Sequence, residues 1–194
     1  MTAAVFLDRD GVLIEERDDF VVDASRLRIL DGVAAGLGKL GRAGFALAVV
    51  TNQPVVARGI IDEAQLGRIH QSLLDQLVAL GAPRLDGVWF CPHHPQATLD
   101  RYRLECDCRK PKAGMLRRAA AALNIDLSSS WMIGDRPSDI AAGRAAGCQT
   151  ILLECGRHLD PPIVGAENLG ATAIPHRRAR TLLHASEIIL GSPK

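Results

Sequence analysis

Residues 5–11 of this chain read Val5-Phe6-Leu7-Asp8-Arg9-Asp10-Gly11. The apolar run predicts a short buried strand, and alternate side chains of an extended chain lie on the same face. Asp8 and Asp10 can therefore reach one point at the end of this strand. Paired carboxylates in such a place are typical of a site for a hard cation, or for nucleophilic and acid–base chemistry. Asp and Gly are also common in turns, so a polar turn is the alternative, and this stretch alone does not decide between them.

Strands and helices are predicted to alternate along the chain. Apolar runs predict strands at residues 3–8, 45–50, 85–90, 131–133, 150–153 and 171–174. Helical periodicity and cap residues such as Asp31 and Asp62 predict helices at 31–43, 62–80, 113–123, 137–147 and 179–190, with a Gly/Pro-rich loop at 156–170. This alternation predicts an α/β fold, with a doubly wound, mostly parallel sheet and helices on both faces. No linker or internal repeat divides the chain, so we expect one domain over residues 1–194.

Composition argues against several classes of partner. The 194 residues carry 23 Lys+Arg and 22 Asp+Glu without a basic stripe, so nothing favours binding to nucleic acid. No apolar run approaches the length of a membrane span. The N-terminal residues lack the basic start and long apolar region of a signal peptide. We therefore expect a cytoplasmic protein without nucleic-acid or membrane partners, and nothing in the sequence demands more than a monomer.

Polar residues end three of the predicted strands. They are Asp8 with Asp10, Thr51 with Asn52, and Gly134 with Asp135. Ligands of open parallel sheets bind outside the carboxyl ends of the strands, so we expect these residues to meet in one crevice. The three acids offer the oxygen ligands that Mg²⁺ prefers, and Lys110 adds a positive charge. Such a set fits phosphoryl transfer, in which positioning and charge neutralisation provide most of the catalysis.

A second metal site is predicted in the long loop at 91–111, because a loop of this length without secondary structure calls for a function or a staple. A Cys-x-His pair and a Cys-x-Cys pair lie twelve residues apart in it: Cys91 with His93, and Cys106 with Cys108. Three thiolates and one imidazole make a closed tetrahedral Zn²⁺ site, which would be structural. Free thiols beside a polar turn are the alternative. Bound zinc would fix the loop and aim Arg109 and Lys110, whereas His94 is predicted to be an exposed loop residue.

Taken together, these segments resemble the four motifs of the haloacid dehalogenase (HAD) superfamily of phosphatases. The matching residues are Asp8-x-Asp10-Gly11, Thr51, Lys110 and Gly134-Asp135-x-x-x-Asp139. The resemblance implies that Asp8 is the nucleophile, which forms an aspartyl-phosphate, and that Asp10 protonates the leaving oxygen and then activates water. Thr51 and Lys110 would stabilise the transferring phosphoryl group. Mg²⁺ would bind to Asp8, Asp135 and the backbone carbonyl of Asp10, and the presence of Asp10 separates phosphatases from the dehalogenases of the superfamily.

The cysteine loop narrows the resemblance to the heptose-bisphosphate phosphatases of this superfamily. That family implies a HAD-like fold with no large cap, and removal of the C7 phosphate of D-glycero-D-manno-heptose 1,7-bisphosphate in the synthesis of a lipopolysaccharide precursor. The residues that would contact this small phosphorylated sugar are Asn52, Gln53, Arg109 and Arg136. Arginine suits such a ligand because its planar fork binds phosphate through two hydrogen bonds.

Two departures from the family pattern leave the substrate open. Pro54 stands where the family often has Ser, and proline offers neither a hydroxyl nor an N–H. Residues 15–20 lack the usual glycine beside an aromatic residue. The preferred anomer of the sugar is therefore not readable from the sequence. Histidinol phosphate or another small phosphomonoester is the alternative substrate, and a catalytically inactive, zinc-stapled binding protein is the alternative of a different class.

Overall fold

In residues 1–154 and 169–191, which the structure describes, six parallel strands form one sheet. The structure is a computed structural model. Its strands are β1 (Ala4–Leu7), β2 (Ala46–Asn52), β3 (Gly87–Cys91), β4 (Trp131–Gly134), β5 (Gln149–Leu153) and β6 (Arg177–Ala179). They are ordered β3-β2-β1-β4-β5-β6, so the direction of winding reverses between β1 and β4. Most of the loop predicted at 156–170 lies outside the described residues.

Helices cover both faces of the sheet, which confirms the predicted fold class. The α-helices of the described residues are α1 (Val33–Arg42), α2 (Pro54–Ala57), α3 (Glu63–Ala79), α4 (Gly114–Leu123), α5 (Pro137–Ala146) and α6 (Leu182–Gly191). Residues from α1, α3 and α6 pack into one apolar core, and residues from α4 and α5 pack into a second. In these same ranges no helix combines the length and the apolar character needed to cross a membrane.

The first strand lies at the centre of the molecule because both of its faces are apolar. Val5 and Leu7 belong to the core on one side of the sheet, and Ala4 and Phe6 belong to the core on the other. All four side chains are fully buried. A strand covered on both faces reads as a continuous apolar run, and this is the pattern that predicted it. The next residue, Asp8, therefore starts where the buried strand ends.

One of the two predicted helix caps, Asp62, is observed in the structure, and the other, Asp31, is not. Asp62 caps α3 by accepting a hydrogen bond from the Gln65 N–H, and the Gln65 side chain accepts one from the Asp62 N–H, which is the capping box that the sequence predicted. The prediction of Asp31 as the cap of α1 is wrong. That helix begins at Val33, and its cap is Gly32, whose φ of 78° is in the left-handed region that glycine tolerates.

The last predicted strand is also wrong in its position. The stretch predicted as a strand at 171–174 contains a 3₁₀-helix, Gly170–Ala173, followed by Ile174, which is 61% exposed. The observed strand is β6, which pairs with β5 at the edge of the sheet. Its first two residues, Arg177 and Arg178, are exposed, so it carries no apolar run that a sequence pattern could detect.

Candidate active site

One pocket of about 330 Å³ lies at the carboxyl ends of β1, β2 and β4, where the winding of the sheet reverses. Its lining includes eight of the residues predicted for the site: Asp8, Asp10, Asn52, Gln53, Arg109, Lys110, Asp135 and Arg136. Thr51 contacts one of these lining residues: its Oγ1 accepts a hydrogen bond from the Gln53 amide at 2.9 Å. Segments that are far apart in the sequence are thus gathered at one point, as the strand-end rule predicted.

Three buried carboxylates form the floor of the pocket. One oxygen each of Asp8, Asp135 and Asp139 lies within 4.8 Å of the others, and the three residues are at most 8% exposed. Burial raises the pKa of Asp8 to about 7, with Lys110 acting against it and Asp139 and Asp10 adding to it. Burial, followed by the charges of Asp139 and Asp8, raises the pKa of Asp135 to about 9. Crowded carboxylates with raised pKa values make a donor set that fits a hard divalent cation.

Two glycines let these acids pack directly against the backbone. Gly11 has a φ of 74°, and a Cβ at this position would lie 2.2 Å from Asp135 Oδ2. A Cβ on Gly134 would lie 2.1 Å from the Cβ of Asp139. Both distances are far shorter than a van der Waals contact. The positions of Asp135 and Asp139 therefore depend on the missing side chains of their neighbours.

Replacement of Gly134 by Ala should displace Asp139 and weaken the acid cluster. We expect a loss of about 1–3 kcal/mol from overpacking, which lowers Tm by roughly 5 °C. We also expect Mg²⁺ affinity to fall by about tenfold or more, as it does when a residue that orients a metal ligand moves. Thermal unfolding and isothermal titration with Mg²⁺ measure the two effects. Gly67→Ala is the matched control, because nothing lies within 4 Å of its added Cβ; equal Tm and Mg²⁺ affinity in the two variants would contradict the prediction.

Lys110 is the buried cation of the site. It is 1% exposed, and its Nζ donates to Val50 O at 2.9 Å and pairs with Asp8 Oδ1 at 3.0 Å and Asp139 Oδ1 at 2.5 Å. Three oxygens thus surround the ammonium group: the contact with Val50 O is a hydrogen bond, and the two contacts with carboxylates are ion pairs. Burial acts to lower the pKa of Lys110, but the charges of Asp139 and Asp8 together outweigh it and raise the pKa. The side chain is therefore charged beside the predicted nucleophile.

Asn52 fixes the backbone on which Lys110 is carried. Its Nδ2 donates to Lys110 O at 3.0 Å, and its Oδ1 accepts from Lys110 N–H at 3.0 Å. The end of β2 is thereby tied to the end of the cysteine loop. Both polar ends of the Asn52 side chain are occupied by these bonds, so its geometry shows a positioning function, and its predicted contact with substrate stays a prediction.

The carboxylate of Asp10 is held by a network of hydrogen bonds with Arg9 and Gln53. It accepts from both Arg9 Nη2, at 2.9 Å, and Gln53 Nε2, at 2.8 Å. The side chain of Asp10 is not in the cluster of three acids, which leaves its backbone carbonyl for the predicted metal contact. Arg9 is not among the site residues that the sequence predicts. The available signal was a cation placed between two acids on one short strand end.

Arginines surround the mouth of the pocket above the acidic floor. The Arg136 Nη2 pairs with Glu16 Oε1 at 2.8 Å, and the guanidinium of Arg58 lies 5.0 Å from the centre of the Phe20 ring. Arg109 Nη1 donates to His93 O at 3.1 Å. A rim of guanidinium groups over a site for a cation suits a ligand that carries phosphate.

The four predicted zinc ligands come together beside the pocket. The Sγ atoms of Cys91 and Cys108 are 3.2 Å apart and those of Cys91 and Cys106 are 3.6 Å apart, while His93 Nδ1 lies 3.4 Å from Cys108 Sγ. Tetrahedral zinc with bonds of about 2.3 Å places sulfur ligands roughly 3.7 Å apart, so the cluster has a suitable size. The prediction of an exposed His94 is wrong: it is 6% exposed, and its Nδ1 accepts from the Gln96 N–H at 3.0 Å.

Known proteins are similar to this chain in both sequence and fold. A family described as HAD-hydrolase-like matches residues 107–177. The D-glycero-beta-D-manno-heptose-1,7-bisphosphate 7-phosphatase of Rhodopseudomonas palustris is 45% identical over 144 residues, which are 74% of this chain and 79% of that protein. The protein of the same name from Escherichia coli K12 is 40% identical over 81% of this chain and 82% of its own.

A solved structure of a protein of this family has a fold similar to that of this chain. The D,D-heptose 1,7-bisphosphate phosphatase of B. bronchiseptica, solved in complex with magnesium and phosphate, aligns with a TM-score of 0.80 and 30% identity over 97% of this chain and 98% of that one. The acid cluster and the buried lysine are consistent with the family that the sequence and fold comparisons indicate. The chain is therefore a phosphoric monoester hydrolase of the HAD superfamily and belongs to the family of the D-glycero-beta-D-manno-heptose-1,7-bisphosphate 7-phosphatases.

Proposed function

We propose that the protein removes the C7 phosphate of D-glycero-beta-D-manno-heptose 1,7-bisphosphate, with Mg²⁺ and through an aspartyl-phosphate on Asp8. The observation that carries the reaction class is the buried Asp8 carboxylate, which is oriented by Lys110 inside a cluster of acids at the floor of the pocket. The substrate follows from the names of the 40–45% identical relatives. The arginines at the pocket mouth are consistent with a ligand that has a second phosphate.

Mg²⁺ fits the donor set of the floor. Asp8, Asp135 and the backbone carbonyl of Asp10 would hold it, and Asp139 is near enough to orient the others. The bound ion would neutralise the oxygens of the transferring phosphoryl group. The magnesium and phosphate in the B. bronchiseptica structure support this assignment. A bound divalent cation would oppose the burial that raises the pKa values of Asp8 and Asp135.

Two carboxylates divide the covalent chemistry. An oxygen of Asp8 bonds to phosphorus, the bond from phosphorus to the sugar O7 breaks, and Asp10 gives its proton to O7. Water then bonds to phosphorus and passes a proton to Asp10, while the bond from Asp8 to phosphorus breaks and phosphate leaves. The Arg9 N–H, at 2.7 Å, and Lys110 both hold Asp8 Oδ1, which fixes the orientation of the nucleophile.

Hydrogen-bond donors stabilise the phosphoryl group as it transfers. The Thr51 Oγ1 accepts from Gln53 Nε2, so its own hydroxyl hydrogen is available to donate to a phosphoryl oxygen. Lys110 contributes a full positive charge in a buried setting, where electrostatic stabilisation is strongest. We assign the second phosphate and the sugar to Gln53, Arg109 and Arg136 at the pocket wall and mouth.

We assign structural Zn²⁺ to Cys91, His93, Cys106 and Cys108. These residues leave no ligand position open, so the ion would act on the loop and not on substrate. The loop leads directly from Cys108 to Arg109 and Lys110. Because the Arg109 guanidinium also donates to the carbonyl of His93, a fixed loop would hold the phosphate-binding arginine in place.

A kinetic comparison tests the proposal. Wild-type protein with Mg²⁺ should hydrolyse the β anomer of heptose 1,7-bisphosphate with a kcat/KM about tenfold or more above that of the α anomer and about 100-fold or more above that of histidinol phosphate. Asp8→Asn should lower kcat by about 10³-fold or more, since an amide is a poor nucleophile. The exposed Asp31 provides the control Asp31→Asn, which should match wild type. Histidinol phosphate as the best substrate would refute the sugar assignment, and turnover that survives in Asp8→Asn would refute the mechanism.

A further inference from the structure

A buried arginine fixes both oxygens of Asp10. Arg9 is 2% exposed, and its Nη2 donates to Asp10 Oδ1 and Oδ2 at 2.9 Å while its Nε donates to Oδ2 at 3.1 Å. The same Nη2 donates to Gln53 Oε1 at 2.9 Å. A planar guanidinium fork imposes direction on a carboxylate in a way that a single ammonium group does not. The Arg9 guanidinium therefore orients the Asp10 carboxylate, together with Gln53 Nε2, which donates to Oδ2 at 2.8 Å.

The other edge of that guanidinium faces a histidine of α3. Arg9 Nη1 lies 3.3 Å from Nε2 of His70, which is 5% exposed. Burial, with help from the charge of Arg9, lowers the pKa of His70 to about 3, so the ring is neutral at neutral pH. A guanidinium can only donate, so Nε2 is the acceptor and the ring proton is on Nδ1. The Phe90 ring, with its centroid 5.7 Å away, packs against the imidazole.

The place of His70 in its helix explains why it is buried. Its neighbours Leu66, Ile69 and Leu73 are also buried, so His70 belongs to the face of α3 that packs on the sheet. Any apolar residue would satisfy that packing. Only a side chain with an acceptor at the position of Nε2 also satisfies Arg9 Nη1, which otherwise would be a buried donor without a partner.

We propose that His70 is a positioning residue for hydrolysis, which orients Arg9 and through it the carboxylate of Asp10. The inference rests on the function proposed for Asp10 as the group that gives and takes the proton. It extends the catalytic apparatus to α3, a helix that contributes none of the described residues lining the pocket. Asp10, Arg9 and His70 thus form a series of contacts that leads from the pocket to the buried face of α3.

The test compares two replacements of His70. In His70→Leu the acceptor for Arg9 Nη1 is lost, so kcat for heptose 1,7-bisphosphate should fall by about 10- to 100-fold. This loss is part of the rate enhancement that acid–base catalysis provides, and KM should change by less than about twofold. Phosphoenzyme formation from p-nitrophenyl phosphate, followed by rapid quench, should stay within about threefold of wild type, because p-nitrophenolate leaves without a proton. In His70→Gln the amide oxygen reaches the position of Nε2, and kcat should recover to within about threefold of wild type.

Controls separate positioning from helix stability. Leu73→Ala loosens the same buried face without removing a partner of Arg9, and it should lower Tm but leave kcat at the wild-type value. If His70→Leu does not fold, His70→Asn replaces it, since the shorter amide reaches the position of Nδ1 and not Nε2; it should be as slow as expected for Leu. The proposal is overturned if kcat of His70→Gln is no higher than that of His70→Leu or His70→Asn. It is also overturned if Leu73→Ala loses as much kcat as His70→Leu. A third contrary outcome is that formation and hydrolysis of the phosphoenzyme slow equally with p-nitrophenyl phosphate. Failure of the proposed function itself shows differently, as wild-type protein without turnover or as an active Asp8→Asn.

Discussion

Replacement of Lys110 by Met should lower kcat by about 10³-fold or more. We have assigned Lys110 to the transferring phosphoryl group, where a buried donor is commonly worth about 10²- to 10³-fold, and this donor is also charged. The uncharged methionine side chain would leave the buried carboxylates of Asp8 and Asp139 without the cation that pairs with them. Loss of one partner from a buried ion pair costs about 3–5 kcal/mol, so Tm should fall as well. Release of phosphate from heptose 1,7-bisphosphate and thermal unfolding measure the two effects.

Two further variants make this prediction specific. Lys110→Arg keeps the charge, but its planar fork does not match the three acceptors around Nζ, one of which is the carbonyl of Val50, so we expect a loss of about 100-fold. Lys112→Met removes an exposed lysine two residues away and should keep wild-type kcat and Tm. An active Lys110→Met protein, or an equal loss in Lys112→Met, would show that the buried charge does not stabilise the reaction.

Replacement of Cys108 by Ser should remove the zinc proposed for the cysteine loop, and most of the activity with it. A serine hydroxyl is a far weaker ligand than a thiolate, and structural zinc contributes directly to folding free energy. A loss of about 3 kcal/mol corresponds to roughly 6–12 °C in Tm for a chain of this size. We expect kcat to fall by about tenfold or more, because Lys110 follows two residues after Cys108. Metal analysis, thermal unfolding and kinetics give the three readouts.

Cys148 provides the matched control for this experiment. It is a buried free thiol, 3% exposed, and it lies outside the cluster of four ligands. Cys148→Ser should cost some stability through burial of a hydroxyl but should keep about one zinc per chain and wild-type kcat. Wild-type protein that is prepared without chelator and contains no zinc would refute the assignment. Zinc retained in Cys108→Ser would refute the ligand set.

The central part of the fold could be predicted because its signals are local. An apolar run that is buried on both faces and then ends in acids identified β1, and similar runs identified β2 and β4. The strand-end rule then predicted that residues from these segments meet in one pocket, and the resemblance to the HAD motifs brought Asp8 and Asp135 together in the same way. The edge strand β6 was misplaced because its pairing with β5, and not its own apolarity, makes it a strand.

Contacts between distant side chains could not be predicted in this way. His70 falls on the apolar face of α3, where a single sequence favours a core position, and nothing marks the partner that it meets. The 61-residue separation between Arg9 and His70 has no signature in either segment. Likewise Asn52 was assigned to substrate on the basis of the family pattern, and only the geometry shows that its amide spans the backbone of Lys110. Hydrogen-bond networks of this kind depend on the tertiary fold, so the sequence of neither segment predicts them.

The place of β1 between β2 and β4 has a consequence for how the chain is made. Val5 pairs with Trp131, so one edge of the most apolar strand stays open during synthesis until more than half of the chain has left the ribosome. Contacts between such distant segments slow folding, and an open apolar edge favours aggregation in the meantime. Asp8 follows β1 and Asp135 follows β4. The proposed nucleophile and the proposed metal ligand therefore meet only when β1 pairs with β4, so we expect the site to form at that late step.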